Sequence, residues 1–120
     1  MSVECNRIRG FTYTMPYMRE KFESMLGDKF YDFYFSAYDS EINKVYIVND
    51  GMNGDYTRIV YPEKIQGPYC YQDNDDSYYK VSNEECPEDI YKQINALYKA
   101  IFNEDLDKSK IEKAIWYHWS

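Results

Sequence analysis

Between Cys86 and Asn103 the apolar residues Ile90, Tyr91, Ile94, Leu97, Tyr98, Ile101 and Phe102 recur at intervals of three and four. That spacing places them on one stripe of an α-helix. Pro87 suits its first position, where no amide is needed, and Glu88 and Asp89 meet the positive end of the helix dipole. Residues 15–26 give a second helical pattern, with Met18, Phe22, Met25 and Leu26 on one face and Gly27 where the helix stops. A third follows Asp107 or Ser109 as cap: Ile111, Ala114, Ile115, His118 and Trp119 fall at i, i+3, i+4, i+7 and i+8. The short link at 103–107 predicts that this helix packs antiparallel on the 87–102 helix.

Strand patterns occupy the rest of the chain. Residues 7–14 hold the β-favouring run Phe11, Thr12, Tyr13, Thr14, and 30–38 are densely aromatic with Asp32 and Ser36 on one face. Residues 44–49 and 56–61 form an expected hairpin around Asp50-Gly51-Met52-Asn53-Gly54-Asp55, a run that tolerates positive φ. Pro62 is expected to end the second strand or confine it to an edge, and Gln66-Gly67-Pro68 to turn the chain. A second hairpin is predicted from 69–71 and 78–81 around the polar tip 72–77. The order β-α-β-β-β-(β-β)-α-α predicts one α+β domain over 1–120, a central antiparallel sheet of four to six strands with helices packed on one face.

Composition changes this picture in two respects. With 15 Tyr and 6 Phe but three leucines (Leu26, Leu97, Leu106), the core must be largely aromatic. Net charge is −7, and residues 30–105 carry 15 acidic against 6 basic residues while both ends are slightly basic. Such a middle region repels phosphate backbones and favours a basic protein partner over direct nucleic-acid binding. The absence of a long apolar run or a basic, apolar N-terminal segment predicts a cytoplasmic protein without a membrane partner.

The chemistry-bearing residues are sparse. Cys5, Cys70 and Cys86 are odd in number and widely spaced, which predicts buried thiols rather than disulfides, and rather than a Cys3His zinc site with His118. Asp73, Asp75, Ser77 and Glu84 match positions 1, 3, 5 and 12 of a calcium loop, but Tyr78 replaces the required Gly and Lys80 the apolar position, so a solvated loop tip is expected. His118, the single histidine, would have to serve any Ser-His or Cys-His mechanism, and no nucleophile, phosphate-loop or zinc-hydrolase motif occurs. Neighbouring carboxylates such as Asp75 and Asp76 do not converge on one atom. The expectation is a protein that is not an enzyme and needs no cofactor or metal.

What remains is tyrosine set among carboxylates, which is good interface material, although coding bias in an AT-rich genome would also raise tyrosine. The predicted partner-binding residues are Asp39, Glu41, Asp50, Asp55, Tyr69, Tyr71, Asp73, Asp75, Asp76, Tyr78, Tyr79, Glu84, Glu85, Glu88 and Asp89. In size and charge, with no shared motif, the chain resembles the small acidic host-takeover proteins of bacteriophages, including DNA-mimic inhibitors of restriction and CRISPR nucleases. The resemblance implies that these carboxylates stand in for phosphates in the basic nucleic-acid channel of a host defence protein. The alternatives are a self-associating protein that buries Trp116 and Tyr117 against its own copies, and a small enzyme without a recognised motif.

Overall fold

The computed structural model describes residues 4–36, 40–50, 53–70 and 78–119, the side chains of 4–5, 68–70 and 119 excepted. In chain order it contains β1 (Glu4–Pro16), α1 (Arg19–Leu26), a 3₁₀ turn, α2 (Phe30–Phe33), β2 (Tyr46–Asn49), β3 (Tyr56–Cys70), β4 (Tyr78–Ser82), α3 (Glu88–Phe102), a second 3₁₀ turn and β5 (Glu112–Trp119). The strands form one five-stranded sheet in the order β2-β3-β1-β5-β4, and all four pairings are antiparallel. The fold is α+β, as the strand-rich middle of the chain predicts. Among the described residues no helix is long and apolar enough to cross a membrane.

The α3 stripe does what its spacing requires. Ile90, Ile94, Leu97 and Ile101 are buried, and with Phe11, Ile47, Ile59 and Phe22 they form the larger core, on the helix side of the sheet. Asn103 ends the helix in a left-handed conformation, φ 56°, which its short side chain tolerates, and its N–H donates to the Lys99 carbonyl. The following loop is stitched back onto α3: Tyr91 donates to the Leu106 carbonyl at 2.7 Å, and Asn95 accepts the Leu106 N–H at 2.7 Å.

The opposite face buries a second cluster of Ile8, Phe35, Tyr46, Val48, Val60, Ala114 and Trp116. Polar groups are sunk into this side. Arg58 lies between the rings of Tyr56 and Tyr78, 3.8 and 4.5 Å from their centroids, and its Nε donates to Thr14 Oγ1 at 3.1 Å. Gly10 sits beside the bulge that lets β3 pass β1, and a Cβ there would lie 2.1 Å from the Tyr61 carbonyl oxygen, so no other residue fits without moving the backbone.

Several expectations are corrected. Residues 109–119 are not a helix: Lys108–Lys110 form a 3₁₀ turn capped by Asp107, and Glu112–Trp119 is β5, between β1 and β4. A central strand is apolar on both faces, Ile111 entering one core beside it and Ala114 and Trp116 the other, so its apolar residues mimic a helical spacing. The packed antiparallel helix pair therefore does not exist, and Trp116, expected at an oligomer interface, is 1% exposed. Of the strand expected at 30–38, the described residues 30–36 make no sheet strand: one helical turn places Phe30 in the helix-side core, and Tyr34 makes only an isolated bridge to Ile47 before Phe35 enters the other core.

Gly67 makes no turn, because β3 runs on to Cys70, and Pro62 does not end the strand but lies where it has become an edge, the second of the two expected outcomes. The pairing of β2 with β3 ends at Val60, so Pro62 needs no donor on that side, and it faces Gly10 at a bulge. Gly67 takes φ 122° within the strand. The predicted second hairpin is absent as well, since β4 pairs with β5 while the end of β3 pairs with β1. The 15–26 helix starts later, at Arg19, because β1 stays paired with β3 through Pro16.

Candidate functional site

Four of the expected partner-binding residues meet where β4 hands over to α3. Glu84 and Glu85 line an open cleft of about 510 Å³, whose other wall is the 3₁₀ turn at Lys108–Lys110 and the start of β5. Asp107 and Glu112 enter from that wall, and Glu88 and Asp89 crown the first turn of α3 beside it. The stacking of carboxylates there follows from local sequence, since Glu88 and Asp89 meet the helix dipole and Asp107 caps its own turn by accepting from the Ser109 N–H at 3.0 Å. Hydrogen bonds from Ser109 hold the Asp107 carboxyl below its usual pKa.

Two lysines lie beneath these acids. Lys113 reaches Glu84 at 2.7 Å and Glu63 at 3.5 Å, and Lys108 reaches Glu88 at 3.0 Å and Glu85 at 3.7 Å. The lysine side chains are 15% and 28% exposed, whereas those of Glu84, Glu88 and Glu85 are 51%, 61% and 83% exposed. The arrangement is therefore layered, with a cationic floor and a negative outer rim. Hydrogen bonds to Glu84 and Glu88 raise the pKa of Lys113 and Lys108, so both stay charged. One lysine proton leaves most of a carboxylate's acceptor capacity open toward solvent.

The other expected residues are elsewhere. Asp50 and Asp55 sit in the β2–β3 hairpin, at the edge of the sheet opposite β4. Asp50 is buried and its oxygens accept the N–H groups of Asn53 and Asp55, so it shapes the hairpin tip. Glu41 is exposed ahead of β2, where its N–H donates to the Tyr46 hydroxyl. Tyr78 is half-buried in the second core, and Tyr79, one residue on, points to the other face and is 56% exposed. Asp39, Tyr71, Asp73, Asp75 and Asp76 lie outside the described residues, as do the Tyr69 side chain and the first three positions of the calcium pattern. Sequence reasoning passed over Glu63, Lys108, Glu112 and Lys113, whose convergence depends on the β5 pairing that the pattern concealed.

Chemistry beyond ion pairing finds few parts. Among the described residues no group of three or more His, Cys, Asp or Glu is placed to hold a metal ion. Cys86 is buried in the helix-side core, and desolvation pushes its thiol up to about 11, far from a reactive thiolate. His118 lies edge-on to Phe35 at 4.8 Å, on the other side of the sheet, and desolvation lowers its pKa to about 4. No family model matches the chain, and neither a curated protein nor a solved structure matches it.

Proposed function

We propose that this chain is a non-enzymatic, cytoplasmic protein-binding module that presents the acidic rim at the start of α3 to a basic surface of another protein. The observation that carries the reading is the layering of the site, with exposed carboxylates of Glu84, Glu85 and Glu88 over less exposed lysines. Arginines arriving from a partner would meet oxygens whose inner partners are already in place, and bidentate pairing would outcompete a single lysine proton. A basic nucleic-acid channel in a host defence protein is one such surface, in keeping with the resemblance to phage inhibitors. Steering by the net charge of −7 would speed encounter and make it salt-dependent.

The test is titration calorimetry against an arginine-rich peptide of about ten residues at low salt. The wild-type chain should bind, and Glu85→Lys with Asp89→Lys should weaken binding by at least about tenfold while leaving the melting temperature nearly unchanged. Equal affinity of the two proteins would remove the rim from the proposal.

A further inference from the structure

The helix-side face of the sheet is not covered along its whole length. Past Phe11, at the end of β1 nearer its start, strand alternation carries Arg9 and Arg7 onto the same face as Phe11. Backbone register sets Lys64 of β3 opposite Arg9, and Gln66 opposite Arg7. On the other flank Ile115 and Tyr117 of β5 face Arg9 and Arg7, and Tyr79 of β4 faces Ile115. Four strands thus present one shallow surface. None of these side chains belongs to either buried cluster; Arg9, Lys64 and Tyr79 are exposed, and Arg7 and Tyr117 are half-buried.

Three cations lie together on this surface, whereas lysines such as Lys29, Lys44 and Lys92, which also hold no carboxylate among the described residues, stand on separate segments. Arg19, Lys99, Lys108 and Lys113 each hold a carboxylate. No described carboxylate pairs with Arg7, Arg9 or Lys64, and Arg7 donates to the neutral Gln66 at 2.8 Å. Among the described residues these neighbouring cations have no counter-ion and repel one another, which favours an anion on this face. Among the described residues Tyr79 and Tyr117 make no ring contact, and as diagonal neighbours on adjacent strands they stand roughly 7–8 Å apart.

We infer that this face of β3, β1, β5 and β4 binds single-stranded nucleic acid, with Arg7, Arg9 and Lys64 on the phosphates and Tyr79 and Tyr117 beneath two bases. A sheet face favours that occupant over an acidic peptide. An extended peptide gains its main-chain hydrogen bonds at a sheet edge, whereas a face offers none, and exposed phenol rings beside cations suit bases that are free to unstack. Duplex DNA fits poorly, because its bases are not available to the rings. The overall acidity argues against nucleic acid only where charges are summed; at physiological salt, fields fall off over about 8 Å, and the local cations dominate. The inference does not depend on the acidic rim.

Fluorescence anisotropy with a labelled oligothymidylate of about 12 nucleotides tests it, using the intact chain at 50 mM salt. Three phosphate contacts imply a log–log salt slope of about −2, a weakening of roughly 20-fold between 50 and 200 mM. Arg9→Glu with Lys64→Glu should weaken binding at least about tenfold, and Tyr79→Ala at least about fivefold. A duplex of equal length and a polyglutamate peptide should each compete at least tenfold less well. The inference is overturned if the wild-type chain does not bind at 100 µM, if polyglutamate competes equally, or if Tyr79→Ala, verified as folded by its melting curve, binds as the wild type does.

Discussion

The two faces of the sheet are held by different forces. On the helix side Phe11, Ile47, Ile59, Ile94 and Leu97 meet as apolar surface, and the buried thiol of Cys86 stays neutral at ordinary pH. On the other side the apolar cluster is threaded with groups that carry or could carry charge: Arg58 between two tyrosines, Tyr78, and His118 against Phe35. Burial lowers the pKa of Arg58, but a guanidinium keeps its proton, so its charge is met by ring faces and the Thr14 hydroxyl instead. One half of the core should therefore respond to lost volume alone, and the other to pH and to lost hydrogen bonds.

The largest effect should come from the apolar side. Ile94 is fully buried in the α3 stripe, and Ile94→Ala should cost about 2–5 kcal/mol, through lost transfer energy and the cavity left behind. Urea unfolding should give the same loss at pH 7 and at pH 5. A loss that changed with pH would mean that the helix-side core contains a coupled titrating group.

The converse holds for His118. Its pKa in the folded chain, about 4, is below the ordinary value of 6.5, because desolvation disfavours the imidazolium. Between those two values the unfolded chain binds more protons, so the contribution is complete above pH 6.5 and is lost as pH falls toward 4. The shift sets an upper bound of about 3 kcal/mol. His118→Phe keeps an aromatic ring against Phe35 and removes the titration. The stability difference between pH 7 and pH 4.5 should shrink in this variant, and an unchanged difference would show that the wild-type imidazole is not held neutral.

The same contrast decides how much the sequence reveals. The α3 helix was legible from its spacing because only one of its faces is buried, so a period of three to four survives in the residues. β5 was not, because apolar residues fall on both of its faces, Ala114 and Trp116 on one and Ile115 and Tyr117 on the other, so Ile111, Ala114, Ile115 and His118 fit a helix as well as a strand. From that misreading followed the wrong partner for β4. The acidic site was half legible: Glu84, Glu85, Glu88 and Asp89 are close in sequence and stay close in space, whereas Lys108 and Lys113 reach them only because β5 returns beside β4. The basic face was hidden for a further reason. Arg7 and Arg9 belong to the first strand and Lys64 to an extension of β3 past Pro62, so no stretch of sequence shows them together.

The smallest effect tests the hydrogen bonds on the polar side. The Tyr78 hydroxyl donates to Glu112 Oε2 at 2.8 Å, and because it has one proton, Thr12 Oγ1 at 2.7 Å must be the donor to it. Desolvation raises the pKa of Tyr78, which keeps that proton in place at neutral pH. Tyr78→Phe leaves the ring against Arg58 but strands the Thr12 hydroxyl, which is fully buried, while the half-exposed Glu112 can turn to water. The cost should be about 1–2 kcal/mol. Adding Thr12→Val removes the stranded donor, so the double variant should be less destabilised than the two single losses added together. Simple additivity in urea melts would mean that the two hydroxyls do not share a bond, and that this face, like its opposite, is held by packing.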